Sequence, residues 1–379
     1  MFNNPFILGI NQTVENAPFL STGALFRATG NNVGNLAFAH ASNRFFSQKL
    51  KACLWGASVE QINSTGDVAL MPLANQLGKH IDMGLQSQKL SEITLPIVAF
   101  GLGAQASLSF EPIEIPQGTI EWVEQISEHG PSSLPNIGVR GQYTYELLAN
   151  LGFENNIELL GCPTHFLNPS KKLGEIIAEK LKRPIQRIAL TAGHQKWKHL
   201  ASKEQALVNL ITNCGGSYIV QSPVEMLQFA RNETHELAED VLEDLKSYIN
   251  PALSTEELIL WSRKHARAFF HIPSWMEYLR GYDFVIGTRI HGVVLAIQAG
   301  TPALCVVHDS RTKELCETMK IPFVSFKDVP SNIQREDLAH LIDFDPARFD
   351  QNRILLAQKF SKFMHANKVK VTSQDSILF

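Results

Sequence analysis

Asp283-Phe-Val-Ile-Gly-Thr-Arg-Ile-His-Gly-Val-Val-Leu-Ala-Ile-Gln-Ala-Gly-Thr-Pro-Ala-Leu-Cys-Val-Val-His-Asp-Ser-Arg-Thr-Lys313 is the stretch from which the architecture can be read. Its first four residues form a short β-prone run. Val293 to Ala299 is apolar and of helical length, and Gly300 and Pro302 stop it. Ala303 to Val307 is a second strand-length apolar run, and His308 to Lys313 leads into another helix. Strand, helix, strand and helix in this order predict a right-handed βαβ unit with a following helix. In a parallel sheet the loops after the strands gather at one edge, against helix N-termini, and ligands bind there. Arg289 and His291 fall in the first such turn and Arg311 in the second. A cation at a helix start opposes the dipole, and a buried unpaired charge is costly. The pattern therefore implies a small, densely anionic ligand.

The alternation continues outward in both directions and predicts an α/β protein. Pro96 to Phe100, Ile157 to Leu160, Arg187 to Thr191 and Ser217 to Gln221 read as strands. Thr119 to Ser127, Gln142 to Leu151 and Lys203 to Asn213 read as helices, and Pro223 opens a helical region reaching about Phe270. Lys171 to Arg183, charged and closed by Pro184, reads as a linker. A chain of 379 residues exceeds what one core usually supports, at about 250–300 residues. The division expected is an N-terminal unit at 1–170, a second unit at 184–330, and a helical tail at 331–379 that could cross back onto the first unit.

Asn136-Ile-Gly-Val-Arg-Gly141 repeats the form of a β-prone stretch, an arginine and a helix. By itself it would read as a surface arginine at a turn. Taken with the other blocks it carries more. Phe284 to Pro302 resembles the R-x-H-G block of polysaccharide pyruvyl transferases. His308-Asp-Ser-Arg311 resembles that family's next loop, Val139-Arg-Gly141 its V-R-G block and Gly161-Cys-Pro163 its small-Pro loop. Gly30-Asn-Asn-Val-Gly-Asn35 is similar to its N-terminal Gly-Asn loop, although many members carry an acidic residue where this chain has Val33-Gly34-Asn35. The resemblance implies two Rossmann-like domains facing a cleft, a GT-B-like fold. Residues 1–170 would then form the acceptor side and 184–330 the donor side. It also implies transfer of a pyruvyl group from phosphoenolpyruvate (PEP) to hydroxyls of a glycan, forming a pyruvate ketal and releasing phosphate. Arg140, His291 and Arg311 match the family's PEP-contacting positions, and Arg289 joins them as a PEP ligand.

The chemistry agrees with that expectation. PEP bears a carboxylate and a phosphate, and guanidinium groups match both with paired hydrogen bonds. Two or three arginines could hold it with no metal and no cofactor, PEP being a co-substrate. Protonation of its methylene carbon suits an imidazole, so His291 is assigned as general acid/base. On the acceptor side the candidates are Asn31, Asn32, Gln105, His165 and His194. The runner-up activity is a GT-B nucleotide-sugar glycosyltransferase, in which the same arginines would hold a diphosphate. A third is a non-catalytic glycan or anion binder.

The remaining features narrow the class. A net charge of −3 argues against a nucleic-acid partner. Five cysteines with no C-x-x-C spacing favour a reducing compartment over a disulfide framework. Met1 to Ile10 lacks the pattern of a secretory signal, and no apolar run is long enough to span a bilayer. The expectation is a cytoplasmic protein, at most peripheral at the inner membrane face, with a glycan acceptor that could be lipid-linked. Gly101-Leu-Gly-Ala-Gln-Ala106 matches a dinucleotide fingerprint, but two prolines follow where a helix should open, so it reads as a tight loop beside the cleft. No P-loop and no H-E-x-x-H is present, and no metal site is expected. The histidines at 165 and 194 read more simply as structural. Trp55, Trp122, Trp261 and Trp275 read as core or interface aromatics, and Arg263, Lys264 and Arg267 as a solvated face.

Overall fold

A computed structural model describes residues 1–46, 49–372 and 378. Among the described residues twelve strands form two sheets, parallel throughout. The first contains β1 (Pro5–Leu8), β2 (Lys51–Cys53), β3 (Val68–Pro72), β4 (Ile97–Leu102), β5 (Ile137–Val139) and β6 (Ile157–Leu159), in the order β2-β1-β3-β4-β5-β6. The second contains β7 (Ile188–Thr191), β8 (Ser217–Ile219), β9 (Ala266–Arg267), β10 (Phe284–Gly287), β11 (Ala303–Val307) and β12 (Phe323–Ser325), in the order β12-β11-β10-β7-β8-β9. Every residue of β3, β4, β7, β10 and β11 is buried, as parallel strands covered on both faces require. The α/β architecture of two Rossmann-like halves, GT-B-like, is therefore present.

Each sheet has one point where its strand order reverses, between β1 and β3 in the first and between β7 and β10 in the second. Loops diverge there and leave a crevice at the carboxyl ends of the strands. The unit expected at 283–319 is β10, helix Ile290–Gln298, β11 and helix Ser310–Met319. No helix follows Gly101–Ala106 before Gln117–Glu128, in keeping with the loop reading of that glycine motif.

Two local expectations are corrected. Lys171 to Arg183 is not a linker but carries helix Leu173–Leu181. Leu173 and Ile177, one turn apart, are buried, while Lys171, Lys172, Glu175 and Glu179 face solvent. The Asp350 carboxylate accepts the Gly174 N–H at 2.7 Å and so satisfies a free donor at the helix start. The region from Pro223 to Phe270 is three α-helices, Val224–Ala230, Glu239–Ile249 and Thr255–His265, with a 3-10 turn at Thr234–Glu236 between the first two, followed by β9. The first break has Asn232 at φ 63°. The third helix starts at a capping box of Ser254 and Glu257.

Helix Pro346–Ala366 lies on the first sheet, where Phe360, Phe363 and Met364 pack with Ile7, Val68, Leu70, Val98 and Phe100. Its Arg353 is wholly buried and donates to the carbonyls of His165, Asn168 and Ser170. In the opposite direction, residues 33–41 leave the first half and pack in the core of the second. The halves are thus exchanged at both ends.

They also meet beside the cleft. The Glu314 carboxylate accepts from the Thr144 N–H at 3.1 Å and the Thr144 hydroxyl at 2.6 Å. The Ala106 N–H donates to Ser310 Oγ at 2.7 Å. Burial pushes the Glu314 carboxyl up to about 7 against a usual 4.5, despite those donors and nearby Arg140. The native state therefore holds a proton that the unfolded chain releases. The stabilisation is full below about pH 4.5 and is lost as pH rises through about 7. Glu314→Gln is expected to flatten the fall in urea midpoint between about pH 5 and about pH 8. An unchanged slope would show that this carboxyl does not titrate there.

Candidate active site

Loops after β7, β8, β10 and β11 converge at the crevice of the second sheet. Arg289 is the residue before helix Ile290–Gln298, and His291 lies in its first turn. Gly292 makes room behind them, since a Cβ there would lie 2.6 Å from Thr191 Cγ2 and 2.9 Å from Gln221 Nε2. Arg289 Nη2 donates to Ser222 Oγ at 2.7 Å, and its guanidinium carbon sits 4.6 Å from the centroid of Trp197. Its Nε is buried without a partner. Burial and the neighbouring Arg311 lower this guanidinium to about 10. It stays cationic near neutral pH.

The His291 ring lies 5.4 Å from that of Phe38, and its Nε2 is buried with no hydrogen-bond partner. Burial, then Arg140, Arg311 and Arg289, hold it down at about 3. The imidazole is neutral near pH 7 while nothing anionic shares the space. Three arginines on three separate loops thus act on one histidine.

Arg311 lies in the first turn of helix Ser310–Met319, where Asp309 is the N-cap and accepts the Thr312 N–H at 2.9 Å. Arg311 Nη2 is 3.2 Å from Asp309 Oδ2, and its Nε is buried and unpaired. Burial raises the Asp309 carboxyl, but Arg311, His308 and Thr312 outweigh it and leave it low. Arg140 enters from the first half at the end of β5. Its Nε donates to the Gly101 carbonyl at 2.6 Å and its Nη2 to the Leu73 carbonyl at 3.2 Å. Burial lowers it, and Arg311 adds to that, while Glu314 and Asp309 act in the opposite direction. Neither Arg140 nor Arg289 has a carboxylate within ion-pair distance among the described residues.

The crevice holds further groups outside the sequence-derived set. The His308 side chain, 5 % exposed, lies 4.6 Å from the Trp197 ring. Burial outweighs Asp309 and holds His308 at about 4. Its 3.7 Å approach to Asp309 is therefore not an ion pair near neutral pH. Thr288 Oγ1 and Gln221 Nε2 are also buried and unpaired. Glu204, buried beneath the loop after β7, accepts from the Gly193 N–H at 2.9 Å and the Tyr218 hydroxyl at 2.8 Å, and burial raises its carboxyl. It fixes the turn that presents Trp197. His308 had a legible signal, being the first residue after a strand. Gln221, at the end of the apolar run from Ser217, had the same signal, whereas Glu204 had none, because only tertiary contact brings it here.

The acceptor-side candidates separate. Asn31 is exposed at φ 59°, and Asn32 Oδ1 accepts the Gly34 N–H at 3.0 Å. Their loop reaches the second half, where the Val33 N–H donates to the Gln221 carbonyl. Gln105 bonds Asn75, next to the Ala106–Ser310 contact. His194 packs on Trp197 and is lowered to about 4 by burial and then Arg289. His165 is fully buried against Phe166 and Phe349, so it offers nothing to an acceptor in the cleft. Trp122, Trp261 and Trp275 are buried in the cores, whereas Trp55 is half-buried and lines a cavity.

The family model described as polysaccharide pyruvyl transferase matches residues 32–310. The chain belongs to the polysaccharide pyruvyl transferase family. It is accordingly a transferase that pyruvylates polysaccharide, and its acceptor is a glycan. The match holds Arg140, Arg289, His291 and His308, and Arg311 lies one residue past its end. No curated protein matches the chain. Among solved structures, this pyruvyl transferase is similar to a UDP-N-acetylglucosamine 2-epimerase from Rickettsia bellii. Identity is 13 %, coverage 97 % of this chain and 96 % of that one, and TM-score 0.46. It is also similar to S. aureus MnaA in a UDP co-structure, at 12 % identity, full coverage of both chains and TM-score 0.46. A trehalose-phosphate synthase (UDP-forming) from Burkholderia vietnamiensis follows at 10 % identity, 82 % and 74 % coverage and TM-score 0.37. At such scores nothing is carried from those proteins to this pyruvyl transferase.

Proposed function

We propose that the enzyme transfers the pyruvyl group of PEP to two hydroxyls of one glycan residue, giving a pyruvate ketal and inorganic phosphate. The observation that carries this reading is the inward set of unpaired buried donors. Arg289 Nε, Arg311 Nε and Gln221 Nε2 lie in one crevice with two neutral imidazoles. Buried donors without partners are costly, and a small anion with several acceptor oxygens would satisfy them together. Arg289 and Arg311 would hold the phosphate and carboxylate. Arg140, anchored on two carbonyls, would add charge from the opposite wall.

His291 is the general acid in this reading. Entry of a multiply charged anion offsets the repulsion from three arginines and favours the imidazolium. That proton passes to the PEP methylene carbon and leaves C2 electron-deficient. A first acceptor hydroxyl bonds to C2 and returns its proton to the imidazole. The C2–O bond to phosphate then breaks, a second hydroxyl bonds to C2, and its proton leaves with the phosphate. Two hydroxyl protons are thus accounted for, one on the new methyl group and one on phosphate. The reaction takes no cofactor, and PEP as donor places it in the cytoplasm. No helix among the described residues is long and apolar enough to cross a membrane. A lipid-linked acceptor would be met from the membrane surface.

Phosphate release from PEP that requires a glycan acceptor, with pyruvate recovered from the glycan after mild acid, tests the reading. Phosphate release with no pyruvate on the glycan would contradict it.

A further inference from the structure

A cavity of about 350 Å³ opens at the other reversal point, between β1 and β3 of the first sheet. It lies at the small end of the range for ligand pockets, roughly 300–1,000 Å³, which suits one sugar residue rather than an oligosaccharide. Its walls come from the loops after β1, β2 and β3 and from the segment around Arg27–Asn35. It touches the arginine cluster at two places. Phe38 lines the cavity and packs on His291, and Leu73 lines it while its carbonyl accepts from Arg140. An occupant would therefore lie next to the general acid.

The lining has the chemistry of a sugar site. Trp55 supplies an apolar aromatic wall with a polar edge. The indole lies directly on Gly9, where a Cβ would meet Nε1 at 2.5 Å and φ is +98°, so no other residue fits beneath it. Lys89 fixes the same loop by donating to the Trp55 carbonyl at 2.7 Å. Three amides are each tied to backbone at one end. Asn11 Nδ2 donates to the Ala28 carbonyl, Asn35 Nδ2 to the Thr29 and Gly30 carbonyls, and Gln76 Oε1 accepts the Ala74 N–H. The other ends, Asn11 Oδ1, Asn35 Oδ1 and Gln76 Nε2, remain for hydroxyl groups. Arg27 is exposed at the rim, and its guanidinium has no hydrogen bond or ion pair among the described residues.

We infer that this cavity is the acceptor subsite, taking one pyranose ring flat on Trp55, with its hydroxyls on Asn11, Asn35 and Gln76 and an anionic substituent on Arg27. The assignment rests on the pyruvyl-transfer reading for its meaning, and it names where the two hydroxyls come from. The anionic group could be a phosphate at the anomeric carbon or a sugar carboxylate.

The test is a panel of methyl pyranosides, with the matching 1-phosphates and uronic acids, titrated against the full chain by saturation-transfer NMR and tryptophan fluorescence, without PEP. At least one sugar is expected to perturb the wild-type indole. Trp55→Ala should weaken it about tenfold or more, Trp55→Phe should recover most of the binding, and PEP affinity should stay unchanged in both. Arg27→Ala should remove the advantage of the anionic sugar, and whether 1-phosphates or uronic acids show that advantage identifies its source. A panel that leaves the wild-type indole untouched, or sugar affinity equal in wild type and Trp55→Ala, overturns the assignment. Retention of the anionic advantage in Arg27→Ala overturns the role of Arg27. If sugars bind through Trp55 but PEP does not bind, the donor reading fails and the subsite stands.

Discussion

His291→Gln is expected to lower kcat by about 10²–10⁴-fold, the contribution of a positioned general acid or base, with PEP affinity falling only a few-fold. Glutamine keeps a donor near the Nε2 position and loses the titrating group. The pH behaviour makes the test specific. In the free protein the ring is held at about 3 by burial and three arginines, so it is neutral at pH 7. Bound PEP favours the imidazolium, so binding should take up a proton, seen as a dependence of the binding heat on buffer ionisation. PEP affinity should correspondingly rise as pH falls toward 6. His291→Gln should lose most of that proton uptake, and His308→Gln should keep it. Were His291→Gln to retain turnover while PEP binding weakened, the ring would be a phosphate ligand and the acid would have to be sought at His308.

Arg289→Ala should weaken PEP binding by about 10²–10⁴-fold, because two charge-assisted hydrogen bonds contribute roughly 1.5–3 kcal/mol each. The fold should survive. Arg289 has no carboxylate partner to strand, and its contacts are to Ser222 and the face of Trp197. Burial already lowers its pKa, a cost that an anion would offset. The alanine variant is therefore expected to be as stable as wild type, or more so, when no ligand is present. Calorimetry and urea unfolding on the same preparation would show it. Equal PEP affinity in the two proteins would remove Arg289 from the donor site.

The central strands of the second half were legible because β10 and β11 are unbroken apolar runs, β10 ending at Gly287 and β11 following Pro302, whereas the edge strands β9 and β12 were not anticipated. The arginines stood out because cations are rarely placed in such turns without a partner. Helix Leu173–Leu181 reads as a linker in the sequence because its charges outnumber its two buried apolar side chains, Leu173 and Ile177, which lie one turn apart. The breaks near Asn232 and Asn250 were lost in a Glu- and Leu-rich stretch that is helical on either side of each. Within the cleft, residues on the strand-end turns could be anticipated, and those supplied by distant loops could not. Trp55 comes from the loop after β2, and its neighbours Asn11 and Gln76 come from the loops after β1 and β3. Nothing in local spacing joins them. His165 showed the reverse, since a loop position beside a family motif turned inward beneath helix Pro346–Ala366.

The central claim is that the cluster of Arg140, Arg289, His291 and Arg311 takes PEP as donor. Titration calorimetry of PEP into wild type and Arg311→Ala, with UDP as the control ligand, tests it most directly. The account predicts saturable PEP binding to wild type, its loss in Arg311→Ala, and no binding of UDP. Binding of UDP with none of PEP would contradict it and make the enzyme's donor a nucleotide sugar.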